Sequence, residues 1–230
     1  MRICVIIPTY NESKAIAGLV SQIRQLGFEV IIIDDGSKDG TALIAEASGA
    51  GVLRNAVNSG KGASLIKGYN FAVGQGFDAV ISMDGDGQHS CQDIMSFVHR
   101  AQDPQSALIL GNRMSATKGM PFLRVLTNRF MSGLISLIIR QHVPDTQCGF
   151  RLVKKEVLNS INLLTSKYET ESEILIRSAR LGFKIDSIPI ATIYSGQKSQ
   201  INPWVDTFRF MRFIALEFFK DFKLNRRKAR

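Results

Sequence analysis

Two stretches, VIIIDDGSKDG at residues 30–40 and VISMDGDGQHS at residues 80–90, run from an apolar, strand-like segment straight into paired aspartates and glycine. A short apolar run bounded by turn residues reads as a strand covered on both faces, the habit of a parallel sheet held between two helical layers. In such sheets ligands bind beyond the carboxyl ends of the strands. Both acidic clusters fall there.

The rest of the first half keeps this alternation. Strands are predicted at Ile3–Pro8, Val30–Ile33, Gly51–Leu53, Ala79–Met83 and Ala107–Gly111, with helices over 16–26, 41–47, 63–73 and 93–101 between them. Ile16, Leu19, Val20, Ile23 and Leu26 recur at helical spacing before Gly27 stops the run. The expected fold class is α/β, a mostly parallel sheet in a three-layer arrangement. Beyond Gly119 the pattern shifts to a long apolar helix from Pro121 to about Gln141, carrying Arg124, Arg129 and Arg140. A strand at Phe150–Val153, a helix at Glu171–Arg180 and a strand at Lys184–Pro189 follow. No repeat or linker interrupts the chain, so its 230 residues are expected to form a single domain, with the second half completing the first.

Composition narrows the partners. With 29 Lys and Arg against 20 Asp and Glu the formal charge is +9, which favours nucleic acid, an acidic membrane surface or phosphorylated substrates. Nucleic acid is set aside, because no reading motif or basic groove with interleaved aromatics is present. Cys4, Cys91 and Cys148 are odd in number and lack metal-ligand spacing, which points to a reducing compartment. The opening MRICVIIPTY reads as a strand instead of a signal peptide, and no run reaches the ~18 uncharged apolar residues of a membrane span. The expected location is cytoplasmic or peripheral, at the inner face of a membrane.

Asp84 and Asp86, with Gln88 two residues on, form an acidic turn whose glycines let alternate positions converge. Oxygen ligands at that spacing suit a hard cation, Mg²⁺ or Mn²⁺, shared with a diphosphate; the competing reading is a solvated turn. Asp34 and Asp35 can accept hydrogen bonds from a base or ribose, or Asp35 or Ser37 can cap the helix near Thr41. NSGKGAS, residues 58–64, places two glycines around Lys61 at a helix start, which suits phosphate contact without being a Walker A loop.

Taken in order, VIIPTYNE, IIIDDGSKDGT, NSGKGAS, MDGDGQH, GNR and DTQCGFR resemble the family 2 glycosyltransferases of the GT-A fold, especially the polyprenyl-phosphate (dolichyl-phosphate type) mannosyl- and glucosyltransferases. The resemblance covers roughly residues 3–200. It implies inverting transfer of a sugar from a UDP- or GDP-linked donor, with residues 1–111 as the nucleotide-sugar half and 112–200 as the acceptor half. Pro8, Tyr10 and Glu12 would then line the nucleotide pocket, Asp34 and Asp35 would lie near base and ribose, and Lys61 nearby. Asp84, Asp86 and Gln88 would hold the metal and the donor diphosphate. Arg113, and Arg124 with Asn128, match the positions that bind the acceptor phosphate; Lys198 stands in for a basic residue over the diphosphate.

A phosphate acceptor needs no strong base, whereas a hydroxyl acceptor would need one, with Glu171 or Glu173 as the candidates and Glu173 preferred. His89 is expected to be a turn residue beside the metal, and Arg151 is expected to pair with Asp145. A catalytically silent nucleotide-binding scaffold at the membrane remains the reading from another class, and a homo-oligomer stays open. From Trp204 onward Phe208, Met211, Ala215, Phe218, Phe219 and Phe222 recur at helical spacing among Arg209, Arg212, Lys220 and Lys223, the pattern of an amphipathic helix in an anionic membrane interface over residues 201–230. Packing of that face on the core, or a dimer contact, is the alternative, and the 121–141 helix can share the membrane role.

Overall fold

The computed structural model describes residues 1–193 and 209–217. Its centre is a seven-stranded sheet in the order β3-β2-β1-β4-β6-β5-β7. The strands are β1 Ile3–Thr9, β2 Glu29–Asp34, β3 Gly51–Arg54, β4 Ala79–Ser82, β5 Leu108–Asn112, β6 Arg151–Lys154 and β7 Ile185–Pro189. β1 to β4 are mutually parallel neighbours, as the repeated strand-helix alternation predicts, and β5 runs parallel to β7. β6 alone is antiparallel, to β4 on one side and β5 on the other.

The period of two along each strand sorts the core into two layers. In β1, Cys4 and Ile6 join Ile31, Ile33, Leu65, Tyr69 and Phe77 on one face, while Val5 and Ile7 join Leu19, Ile23, Ile32 and Ile81 on the other. The first face is covered by α3 (Lys61–Gly74), α5 (Phe122–Ile139), α6 (Lys155–Ser160) and α7 (Glu169–Arg180); the second by α1 (Ile16–Gln25), α2 (Thr41–Ala47) and α4 (Ile94–Arg100). α6 is one helix that the sequence pattern did not reveal, its single buried position, Val157, being too few to set a period.

Residues 209–217 are helical and seat Phe210, Phe213 and Ile214 in the first layer, leaving Met211 and Ala215 exposed. Trp204, Phe208, Phe218, Phe219, Phe222, Lys220 and Lys223 of the expected interfacial helix lie outside the described residues.

The insertion of β6 between β4 and β5 positions the site. Because β6 runs antiparallel, its first residue pairs at the last residue of β4, Ser82 opposite Arg151. The turn before β6 is thereby delivered to the carboxyl end of β4, where the Ser82 hydroxyl donates to the Gly149 carbonyl at 3.0 Å.

Candidate active site

The carboxyl ends of β2, β1 and β4 lie side by side, so the loops after Thr9, Asp34 and Ser82 share one edge of the sheet. Asp84 and Asp86 leave that edge on the turn after β4. Lys61, the first residue of α3, reaches Asp84 Oδ1 at 2.6 Å and Glu171 Oε1, near the start of α7, at 3.1 Å. His89 is buried against Phe150, with ring centroids 5.2 Å apart, and holds Nε2 3.5 Å from Asp84 Oδ2. A Cβ on Gly149 would stand 2.6 Å from Asp84 Oδ1, so only glycine there leaves room for the carboxylate. Gly149→Ala is expected to push Asp84 aside and lower turnover about 10²-fold with little change in melting temperature, since displacement of a site group by an ångström costs about that much. Unchanged turnover would show that Asp84 has slack.

The carboxylates repel one another. Burial works to raise the pKa of Asp84, but Lys61 and His89 outweigh it and hold the group well below the ordinary carboxylate range. Burial and then Asp84 push Asp86 up. Glu12, in the loop after β1, is pushed up to about 7 by burial, then by Asp86, Asp39 and Asp84. The edge therefore gathers more negative charge than Lys61 neutralises.

Asp34 and Asp35 are both engaged by donors of the protein itself. Asp34 is fully buried and accepts from the Ser37 amide at 3.2 Å and Arg54 Nε at 3.3 Å. Asp35 accepts from Asn55 Nδ2 at 2.8 Å and from the amides of Ser59 and Gly60 at 2.9 and 2.7 Å, fixing the loop that leads to Lys61. Neither Asp35 nor Ser37 caps the helix at Thr41. The N-cap is Gly40, without a side-chain cap bond, and Asp39 before it accepts from the Thr41 amide at 3.1 Å and the Ser13 amide at 3.0 Å. Pro8, Tyr10 and Glu12 sit half-buried on the same edge, with the Glu12 amide donating to Thr41 Oγ1 at 2.9 Å.

The expected Arg151–Asp145 pair does not form. Asp145 holds Arg113 in a buried two-point pair, Nε to Oδ2 at 2.7 Å and Nη2 to Oδ1 at 2.9 Å, and also accepts the Arg113 amide at 3.1 Å. Arg113 is therefore preset, with Asp145 outweighing burial to raise its pKa and the Asp84 charge adding to it. Arg151, almost wholly buried, donates instead to the carbonyls of Cys148, Thr146 and Glu171 at 2.7, 2.8 and 2.5 Å.

Asn128 on α5 is buried with Nδ2 unpartnered, one turn before Ser132, which bonds Thr146 beside Asp145. Arg124, a turn earlier on the same helix, is exposed, and Lys198 lies outside the described residues.

Glu173 does not reach the site. It accepts from the amides of Leu164 and Thr165, the Thr165 hydroxyl and Arg177 Nε, a structural clamp on the turn before α7. Residues two apart on a helix face different ways, so Glu171 enters the site and Glu173 cannot. Nothing local in the sequence flags Gly149 or the Lys61–Glu171 contact, which join segments distant in the chain.

The description "Glycosyl transferase family 2" fits residues 4–161 of this chain. The chain belongs to glycosyl transferase family 2. The transferase is 30% identical over 216 residues to the UDP-N-acetylglucosamine–dolichyl-phosphate N-acetylglucosaminyltransferase of Methanococcus voltae, covering 84% of this chain and 86% of that one. It is 28% identical to the undecaprenyl-phosphate mannosyltransferase of Micrococcus luteus, covering 84% of each.

Among solved structures, glucosyl-3-phosphoglycerate synthase from Mycobacterium tuberculosis, crystallised with Mn²⁺, uridine diphosphate and glucosyl-3-phosphoglycerate, superposes with a TM-score of 0.73 at 21% identity, over 95% of this chain and 79% of that one. That likeness is one of fold, and the fold of the transferase is GT-A, as its motifs imply.

Proposed function

We propose that this transferase moves a sugar, with inversion, from a nucleoside diphosphate donor (UDP- or GDP-linked) to a polyprenyl phosphate at the inner face of a membrane, with Mg²⁺ or Mn²⁺ at the acidic turn. The observation that carries the reading is the Asp84–Asp86 turn at the sheet's carboxyl edge, facing a preset Arg113. The M. voltae and M. luteus relatives, named for lipid-phosphate acceptors, support the acceptor. The M. tuberculosis structure, with its Mn²⁺ and uridine diphosphate, supports the metal and the nucleotide.

The donor set fits a hard divalent ion. Asp84, Asp86 and Gln88 supply two carboxylates and an amide, and among the described residues no three His, Cys, Asp or Glu side chains stand ready to hold a metal. An incomplete set suits Mg²⁺ or Mn²⁺, which take one or two carboxylates and fill the rest with phosphate oxygens and water. A bound cation would offset the charge that builds on the leaving diphosphate. Lys61 holds Asp84 in place, and Asp35 holds the loop that carries Lys61.

A polyprenyl phosphate is already ionised near pH 7, so the task of Arg113, with Arg124 and Asn128, is orientation more than proton removal. Glu171 enters the site from the second half through its contact with Lys61, and it keeps a hydroxyl acceptor as the second reading.

The test is direct: the protein, Mg²⁺ or Mn²⁺, a panel of UDP- and GDP-sugars and a short polyprenyl phosphate, with products weighed by mass spectrometry. A phosphate-linked glycolipid is the expected product. Transfer only to hydroxyl acceptors would replace the reading with the second.

Metal dependence has a pH signature. Glu12 and Asp86 have raised pKa values in the fold, so their contribution to stability is fully present below the unfolded-state values and is lost as pH rises through the folded ones, near 7 for Glu12. The metal-free melting temperature should fall between about pH 5 and pH 8, and Mg²⁺ or Mn²⁺ should raise it more at pH 8 than at pH 6. A cation effect independent of pH would argue against binding at this cluster.

A further inference from the structure

α5 is apolar along most of its length, yet every fourth residue on the side turned to the domain is polar: Asn128, Ser132 and Ser136. Spacing of four puts them in one row. Two of the three grip the segment that leads to β6. Ser136 Oγ accepts from the Val143 amide at 3.0 Å and donates to the Val143 carbonyl at 3.2 Å. Ser132 Oγ accepts from the Thr146 amide at 2.9 Å and lies 3.1 Å from Thr146 Oγ1. The two grips stand on either side of Asp145.

Asp145 is the residue that fixes Arg113, through both side-chain bonds and the Arg113 amide. Ser132, Thr146 and Asp145 are all buried, so losing the Ser132 hydroxyl strands a buried amide and slackens the chain beside that carboxylate. The third member of the row differs. Asn128 Nδ2 is buried and has no partner among the described residues. A row in which two members hold the chain and the third keeps a free donor acts as a ruler between the Arg113 guanidinium and the Asn128 amide.

We propose that Ser132 is a positioning residue for the acceptor phosphate: by holding Thr146 it holds Asp145, and through Asp145 it keeps Arg113 at a fixed separation from Asn128. The inference rests on the polyprenyl-phosphate reading and deepens it. A phosphate met by two donors at once is oriented only while their separation stays constant. The acidic edge is insulated from this slack, because Arg151 holds the Thr146 and Cys148 carbonyls from the other side and so keeps Gly149 against Asp84. Loss of the Ser132 grip therefore reaches the acceptor and spares the donor.

The test is transfer to a short polyprenyl phosphate from whichever UDP- or GDP-sugar the wild type accepts, with each substrate varied in turn. In Ser132→Ala the KM for the polyprenyl phosphate should rise about 10-fold, while the KM for the nucleotide sugar and the melting shift given by Mn²⁺ stay as in wild type. Thr146→Val removes only the hydroxyl contact of the same grip and should show the same split at about 3-fold. Ile23→Val, in the opposite core layer, is the control for lost stability and should move neither KM.

An unchanged acceptor KM in Ser132→Ala and Thr146→Val overturns the inference and leaves the polyprenyl-phosphate reading standing. A parallel rise in both KM values, reproduced by Ile23→Val, would reduce Ser132 to a structural bond. A wild type that transfers only to hydroxyl acceptors removes the reading itself, and the inference with it.

Discussion

Asp86→Asn is expected to lower turnover by roughly 10²–10³-fold while leaving the metal-free protein as stable as wild type or slightly more so. The two effects have one cause. Asp86 is half-buried beside Asp84, and burial followed by Asp84 raises its pKa. Its ionised form therefore destabilises the empty site and is of use only when a cation and a diphosphate share it. The asparagine keeps an oxygen that can accept the Gln88 amide, now bonded to Asp86 Oδ1 at 2.9 Å, so the turn survives.

Melting curves with and without Mn²⁺, beside the glycolipid assay, separate the parts. The wild type should gain melting temperature from Mn²⁺ at pH 8 and the variant should gain little. Near-normal turnover by Asp86→Asn, or normal turnover of the wild type in chelator, would remove Asp86 from the metal role.

The largest effect on stability is expected at Arg151. Its guanidinium spans the carbonyls of Thr146, Cys148 and Glu171, tying the turn before β6 to the start of α7. Among the described residues no carboxylate is paired with it, and the three acceptors of its guanidinium are backbone carbonyls. Arg151→Met keeps most of the volume but strands three buried carbonyls, at a cost of about 3–5 kcal/mol. For a domain of this size that lowers the melting temperature by roughly 10 °C.

Arg151→Lys should recover little, because one ammonium cannot reach three separated carbonyls in the plane that a guanidinium does. Urea titration of both variants measures this; a loss under about 1 kcal/mol would mean that water replaces the guanidinium.

The acidic ends of β2 and β4 were legible because each is written within about ten consecutive residues, where an apolar run, a carboxylate and a glycine report strand, site and turn together. The individual duties of those carboxylates were not. Asp34, Asp35 and Asp84 look alike in the sequence, and only their neighbours decide that Asp35 fixes a loop while Asp84 faces Lys61. The same holds for Arg113 and Arg151, either of which could have met Asp145. Arg113 wins because its own amide also faces that carboxylate, so both of its donor groups approach Asp145 from β5.

By itself the sequence determined the α/β alternation, the two core layers set by the period of two along each strand, and the family, since all of these rest on short-range spacing. The tertiary structure decided that β6 enters antiparallel between β4 and β5 and so brings Gly149 against Asp84. It also decided that Glu171 and not Glu173 faces Lys61, and that α5 keeps one side on the domain and offers the other to its surroundings. Each of these joins residues far apart in the chain. Spacing along a chain specifies how a segment folds, but which distant segment packs against it is chosen by the burial and hydrogen bonding of the whole core.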